Sequence, residues 1–367
     1  MGTTLAGPEL ARPRKVACYS GLTNLAPLSD AMLTVICESP RNLLALRRPQ
    51  PERAPGEVLL RVKRVGVCGT DLHIFTGNQP YLEYPRVMGH ELSGVVEEAD
   101  ADSGLVPGDA VYVMPYLSCG HCAACRQGKT NCCVQIQVLG VHRDGAFSEY
   151  ITVPQRYVGK ATGISLDQAA MIEFLAIGAH AVRRGQVAAG QRVLVVGAGP
   201  IGLAAMIFAR LRGALVTALD GRQDRLDVAL KHVGVAGAVK LGDGDEAELE
   251  RISGGEFFDV VFDATGNAQA MERGFKFIAH GGSYVLVSIV RGEIRFSDPE
   301  FHRRETTLLS SRNATVEDFE TVMQAMRDGL VPDAALATHR LALVEVPASF
   351  HRLLDPAEGV IKAIIEC

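Results

Sequence analysis

The stretch Val193-Leu194-Val195-Val196-Gly197-Ala198-Gly199-Pro200-Ile201-Gly202 runs from a short apolar segment into three glycines spaced G-x-G-x-x-G. An apolar helical pattern, 203–210, follows at once. A strand that turns into a helix through such glycines is the entry to a dinucleotide-binding βαβ unit. Gly197 permits the tight turn, and Gly199 lets the backbone approach a pyrophosphate. Gly202 lets the helix pack closely on the strand. Pro200 and Ile201 open that helix, whose N-terminus faces the phosphate charge. Asp220 closes the next apolar run, 18 residues after Gly202. A carboxylate there accepts hydrogen bonds from the adenosine ribose and repels a 2′-phosphate, so NAD is expected rather than NADP. Arg222 and Arg225 lie close behind and would soften that discrimination, with Arg225 a candidate cofactor neighbour.

Outward from this stretch, apolar runs at 193–196, 215–219, 260–263 and 284–288 alternate with helical patterns. Such alternation predicts a parallel sheet covered by helices. Asp263-Ala264-Thr265-Gly266 and Val287-Ser288-Ile289 fall at strand ends, where ligands of open α/β sheets bind. Thr265, Ser288 and Ile289 are therefore candidate cofactor neighbours. Upstream, from 32 to about 153, short apolar or alternating runs are separated by Pro and Gly, which argues for an all-β, barrel-like domain. Helical periodicity starts only near Ser165. After Thr306 the texture is mixed again, with a helix over 316–326 and a closing strand over 360–365. A chain of 367 residues is long for one core, so two domains are expected.

Composition narrows the classes further. A hydrophobic fraction of 47% with 22% charged residues describes a soluble globular protein. A net charge of −5 gives no reason to expect nucleic acid or an anionic membrane surface as partner. No apolar run reaches the roughly 18 residues of a membrane span. Residues 1–31 contain Arg12, Arg14 and Lys15 but no compact apolar core of a signal peptide. They read as an N-terminal extension of a cytoplasmic protein, with Met32 an alternative start. The nine cysteines are odd in number and five fall between 119 and 133. That distribution argues for metal binding in a reducing compartment rather than for disulfides.

Cys119, Cys122, Cys125 and Cys133 can wrap one tetrahedral zinc, and four thiolates leave no position open for substrate. Such a site is structural. Cys132 and His121 are spare donors within it, and an iron–sulfur cluster is the competing occupant. A second donor set lies upstream, in Gly66-Val67-Cys68-Gly69-Thr70-Asp71-Leu72-His73 and Gly89-His90-Glu91-Leu92-Ser93-Gly94. Thiol, imidazole and carboxylate together suit a zinc ion that keeps one position for a ligand. Alone, Cys68 reads as a small buried hydrophobe and His90 as a satisfied core histidine.

With the two donor sets and the glycine motif in this order, the chain resembles the zinc-dependent medium-chain dehydrogenases over about 32–367. The resemblance implies an α/β protein: a GroES-like catalytic domain (32–178, with 309–367 returning to it) interrupted by a Rossmann NAD-binding domain (179–308). A homodimer or homotetramer is implied as well, together with two zinc ions per chain. Cys68 and His90 match the family's catalytic ligands. Where alcohol dehydrogenases carry a further Cys, this chain has Met171-Ile172-Glu173, which is similar to the sorbitol and polyol branch. There Glu91 and Glu173 share the metal with water. Phe174 departs from that branch, in which Pro often follows the Glu. Asp71 is expected to orient the His90 imidazole. In the implied mechanism Thr70 bonds the alcohol oxygen and His73 passes the proton to solvent, while hydride moves to the nicotinamide.

The narrowest resemblance is Phe296-Ser297-Asp298-Pro299-Glu300-Phe301-His302-Arg303-Arg304-Glu305-Thr306 with Ser311-Arg312-Asn313-Ala314-Thr315. It looks like sugar-acid 5-dehydrogenases acting on L-galactonate or L-gulonate. A small polyhydroxylated acid needs a cation and amide partners, for which Arg312 and Asn313 are candidates, with Tyr84 and Asn78 after them. Arg303 and Arg304 read as a solvated pair or subunit contact. A sorbitol-like polyol or a threonine-like 3-hydroxy amino acid is the alternative substrate. A zinc-free quinone-reductase-like member would lack ligands that are all present here. A non-catalytic zinc and nucleotide sensor would have no use for Thr70 and His73.

Overall fold

A computed structural model describes residues 31–79 and 82–367; residues 1–30, nearly all of the expected extension, lie outside them. The strand Glu57–Val67 organises the first half. It pairs antiparallel with Glu91–Glu98, with Tyr150–Pro154 and with Lys362–Glu366. Its side chains Val58, Leu60, Val62 and Val65 are fully buried with Val96, Val111 and Phe147 in one cluster. Each such aliphatic side chain contributes about 1.5–3 kcal/mol on burial. The register sets Gly66 opposite Glu91 and Val67 opposite Ala363. One end of the barrel thus gathers the exit towards Cys68, the start of the Glu91 strand and the C-terminal strand.

The second unit is a six-stranded parallel sheet in the order Gly237–Lys240, Leu215–Asp220, Arg192–Val196, Phe258–Asp263, Ile278–Leu286, Thr307–Ser310. Numbered along the chain this is 3-2-1-4-5-6, the order of a doubly wound dinucleotide fold. Val193, Leu194 and Val195 are fully buried, as a strand covered on both faces requires. The strand read at 284–288 in fact spans Ile278–Leu286, so Val287 and Ser288 lie beyond its end. Gly281-Gly282 resembles a turn in sequence, but in the fold it is an irregularity inside a longer strand: Phe258 pairs with Ile278 and Val260 with Ser283.

The four longer helices that matter for the site are α1 (Gly69–Thr76), α2 (Ile172–Arg184), α3 (Pro200–Leu211) and α4 (Val316–Arg327). α2 runs through the 178/179 boundary drawn from sequence, since Gly178 packs against α3 without breaking the helix and no Pro precedes Gly185. Likewise, Thr307–Ser310 straddles 308/309 as the last strand of the parallel sheet. Both boundaries are therefore crossed by regular structure. The four-cysteine lobe stands on a two-stranded ribbon, Tyr116–Leu117 with Gln137–Val138.

Candidate active site

Cys68 leaves the central strand and caps the start of α1 with an extended backbone. Its N–H donates to Asp71 Oδ2 (2.9 Å), and the Gly89 N–H donates to Asp71 Oδ1 (3.1 Å). Asp71 therefore ties together the backbones just before the two metal-type donors. It does not orient the imidazole as expected from sequence. Its Oδ1 is 3.9 Å from His90 Nδ1, beyond hydrogen-bond range. Two backbone N–H groups claim the carboxylate first because α1 needs a cap at that point.

Donor atoms of Cys68, His90 and Glu91 lie within 4.8 Å of one another. His90 is 4% exposed, and its Nδ1 is buried with no hydrogen-bond partner among the described residues. A thiol, an imidazole nitrogen and a carboxylate oxygen gathered within 4.8 Å are the donor chemistry of a zinc site, so these residues fit the metal that the motifs imply. Burial pushes the His90 pKa down, but the Cys68 and Asp71 charges outweigh it and hold the imidazole well above its usual value.

The two glutamates differ. Glu91 is fully buried and Lys362 Nζ donates to both of its oxygens at 2.7 Å. The same ammonium donates to the Val67 carbonyl (3.1 Å) and lies 4.4 Å over the Phe174 ring. Burial lowers the Lys362 pKa, yet Glu91 and Cys68 more than offset this and raise it. Gly66 makes the arrangement possible, because a Cβ there would collide with the Glu91 carboxylate. Glu173, at the start of α2, is paired with no cation among the described residues. Its Oε1 accepts the Tyr116 hydroxyl, and burial raises its pKa to about 7. Of the two carboxylates expected to share the metal, Glu91 joins the 4.8 Å group and Glu173 does not. Thr70 is half-buried and His73 exposed on the same helix, three residues apart.

Cys119, Cys122, Cys125 and Cys133 form the second donor group. Cys122 and Cys125 sulfurs are 3.5 Å apart, and backbone N–H groups of Cys119 and Gln135 point at Cys133 Sγ (3.3 and 3.4 Å). Backbone donors from Cys125 and Val134 hold the Cys122 thiol down at about 6. The spare donors stay out. Cys132 is exposed, and His121 Nδ1 sits on the Cys119 carbonyl.

At the glycine loop, Gly197 has φ +96°, a conformation L side chains rarely adopt. Pro200 and Ile201 open α3, and a Cβ on Gly202 would collide with the Gly197 carbonyl. Asp220 accepts the Ala198 N–H (2.6 Å) and the Arg222 N–H (2.7 Å). It lines a pocket with Gly197, Leu219 and Thr265. Arg222 turns to Asp224 in a two-point pair (3.1 and 2.6 Å), while Arg225 reaches over Gly199. The Thr265 hydroxyl is already given to Asp263 (2.8 Å). Ser288 donates its N–H to the Asp263 carbonyl, and Ile289 is 75% exposed.

The substrate candidates separate. Arg312 is exposed, and with Arg86 it lowers the His142 pKa after burial has done so. The Tyr84 hydroxyl is committed to the Ile74 carbonyl. Asn313 has φ 51° and gives its amide to the Asn131 carbonyl (3.2 Å), which ties it to the cysteine lobe. The Asn78 carbonyl accepts Arg291 (2.5 Å). Lys362 and Tyr116 were not singled out from sequence. A lysine inside the apolar run Val360-Ile361-Lys362-Ala363-Ile364-Ile365 was the available signal for the first.

Comparison with known proteins adds three relatives and two family matches. Residues 54–163 match the alcohol dehydrogenase GroES-like domain, and residues 200–328 match the zinc-binding dehydrogenase family. L-galactonate-5-dehydrogenase from Escherichia coli K12 is 42% identical over 92% of this chain and 99% of its own. The structure of an alcohol dehydrogenase, rspB, from E. coli CFT073 with NADH superposes with a TM-score of 0.85 at 30% identity, covering 92% of this chain and all of that one. A zinc-binding dehydrogenase of Sinorhizobium meliloti 1021 bound to NADP superposes with a TM-score of 0.85 at 28% identity, over 92% and 100% of the two chains.

Proposed function

Because the chain belongs to the zinc-type, GroES-like alcohol dehydrogenases, oxidoreductases acting on CH–OH groups, we propose that it oxidises a secondary alcohol of a sugar acid. The acid is of the L-galactonate or L-gulonate type, the product is the keto acid, and NAD is the acceptor. The observation that carries the reading is the 42% identity along nearly the whole chain to an L-galactonate-5-dehydrogenase. Exposed Arg312 is the candidate cation for the carboxylate that separates such an acid from a neutral polyol. Zinc would be held by Cys68, His90 and one of Glu91 and Glu173, a second zinc by Cys119, Cys122, Cys125 and Cys133. The first supplies Lewis acidity towards the alcohol oxygen.

The chain's own residues do the rest. Lys362 occupies both oxygens of Glu91, which leaves Glu173 as the carboxylate with an uncommitted oxygen. Thr70 bonds the reacting hydroxyl, and His73, exposed one turn further on, carries its proton to solvent. The Gly197–Gly202 loop and the α3 N-terminus hold the pyrophosphate, Asp220 the adenosine ribose, and Thr265, Ser288 and Ile289 border the cofactor. Arg312 pairs with the substrate carboxylate. The working unit is a homodimer or homotetramer.

An assay of NADH formation with aldonates, polyols and 3-hydroxy amino acids tests the reading. Turnover is expected on L-galactonate or L-gulonate. Absence of turnover on every secondary alcohol, in protein carrying its metal, sinks it. Asp220→Ala is expected to raise the KM for NAD by about tenfold, the loss of a charge-assisted hydrogen bond, and to change that for NADP much less. Equal changes for both cofactors would remove Asp220 from the ribose.

A further inference from the structure

The cysteine lobe grips α2 at two points. At the first, the Tyr116 hydroxyl donates to Glu173, and Tyr116 stands three residues before Cys119 on the ribbon that bases the lobe. At the second, Asn131, two residues before Cys133, places its amide nitrogen 3.1 Å from His180 Nε2 and 3.0 Å from the Arg312 carbonyl. An amide nitrogen only donates, so His180 Nε2 is the acceptor. His180 Nδ1 then carries the proton and gives it to Asp318 Oδ2 (2.8 Å). Asp318 caps α4 through the Thr315 N–H (2.8 Å) and pairs with Arg183 (2.8 Å). Every member of the relay from lobe to helix is buried: Tyr116 is 6% exposed, Asn131 4%, Glu173 5%, His180 7% and Asp318 1%.

Glu173 and His180 are seven residues apart on one helix, roughly 10 Å along its axis. Two fixed points on a rigid rod settle both its position along the axis and its rotation about it. We infer that the lobe, beyond stapling its own loop, is the element that positions the Glu173 carboxylate towards Cys68 and His90. Tyr116, Asn131 and His180 are its positioning residues. The inference rests on the reading of Glu173 as a carboxylate that faces the catalytic metal.

The test uses full-length protein with zinc in the lobe and cobalt(II) at the Cys68 site. The readouts are the cobalt visible spectrum, the rate of cobalt loss to a chelator, and NADH affinity. Tyr116→Phe and Asn131→Ala are each expected to shift the cobalt bands and to speed cobalt release by about tenfold, as is usual when a group supporting a metal ligand is removed. NADH affinity should stay within about twofold, since neither residue lines the glycine loop. His180→Ala should behave like Asn131→Ala, whereas His180→Gln, which keeps one donor and one acceptor, should restore the wild-type spectrum. The His180 pair decides the matter if Asn131→Ala misfolds. A cobalt-loaded wild type whose spectrum ignores all three disrupting substitutions overturns this inference alone. A wild type that takes up no cobalt overturns the metal reading and this inference with it.

Discussion

Cys68→Ala is expected to cut kcat/KM by at least about a thousandfold, on the scale of losing the main stabiliser of developing negative charge. Metal content should fall by one ion per chain while the lobe keeps its own. The fold should survive, because the contact that holds this turn uses the Cys68 backbone N–H on Asp71, which alanine retains. Tm should therefore move little once compared with metal-free wild type. Metal analysis, steady-state kinetics and thermal denaturation check the three parts. Retained turnover with one ion missing would take Cys68 out of the site.

Lys362→Met should strongly destabilise the barrel. It leaves the fully buried Glu91 carboxylate and the Val67 carbonyl without their shared donor. Breaking one side of a buried ion pair costs about 3–5 kcal/mol, a fall in Tm on the order of 10 °C for a unit of this size. Removing both charges behaves differently. Glu91→Gln with Lys362→Met should recover more than half of the loss, because no unpaired charge remains. Denaturant titration of the wild type, both single variants and the double variant measures it. A double variant as unstable as Lys362→Met alone would show that the pair is not what stabilises this end of the barrel.

What could be read in advance was whatever lies close in sequence. The G-x-G-x-x-G loop, Asp220 and the four-cysteine lobe are local patterns whose spacing is itself the geometry. The same holds for Cys68 with Asp71, where spacing places the carboxylate but capping at α1, rather than the imidazole, takes its oxygens. Glu91 shows the opposite limit. Its partner is 271 residues away, and nothing near either residue says which carboxylate a lone lysine in an apolar strand will meet. Asn313 was read as a substrate amide, but its left-handed backbone turns the side chain onto the lobe. Substrate residues are hard to read because loop side chains have several polar partners within reach and only the fold chooses between them.

The distance between Glu91 and Lys362 along the chain also sets an order of events during synthesis. At about 5–20 residues per second, the ribosome spends roughly 15–50 s between the two. Within that interval all six strands of the parallel sheet are made, while the barrel still lacks the strand Lys362–Glu366 and Glu91 lacks its cation. The newborn chain thus has every strand of the parallel sheet before it has the strand that closes the barrel.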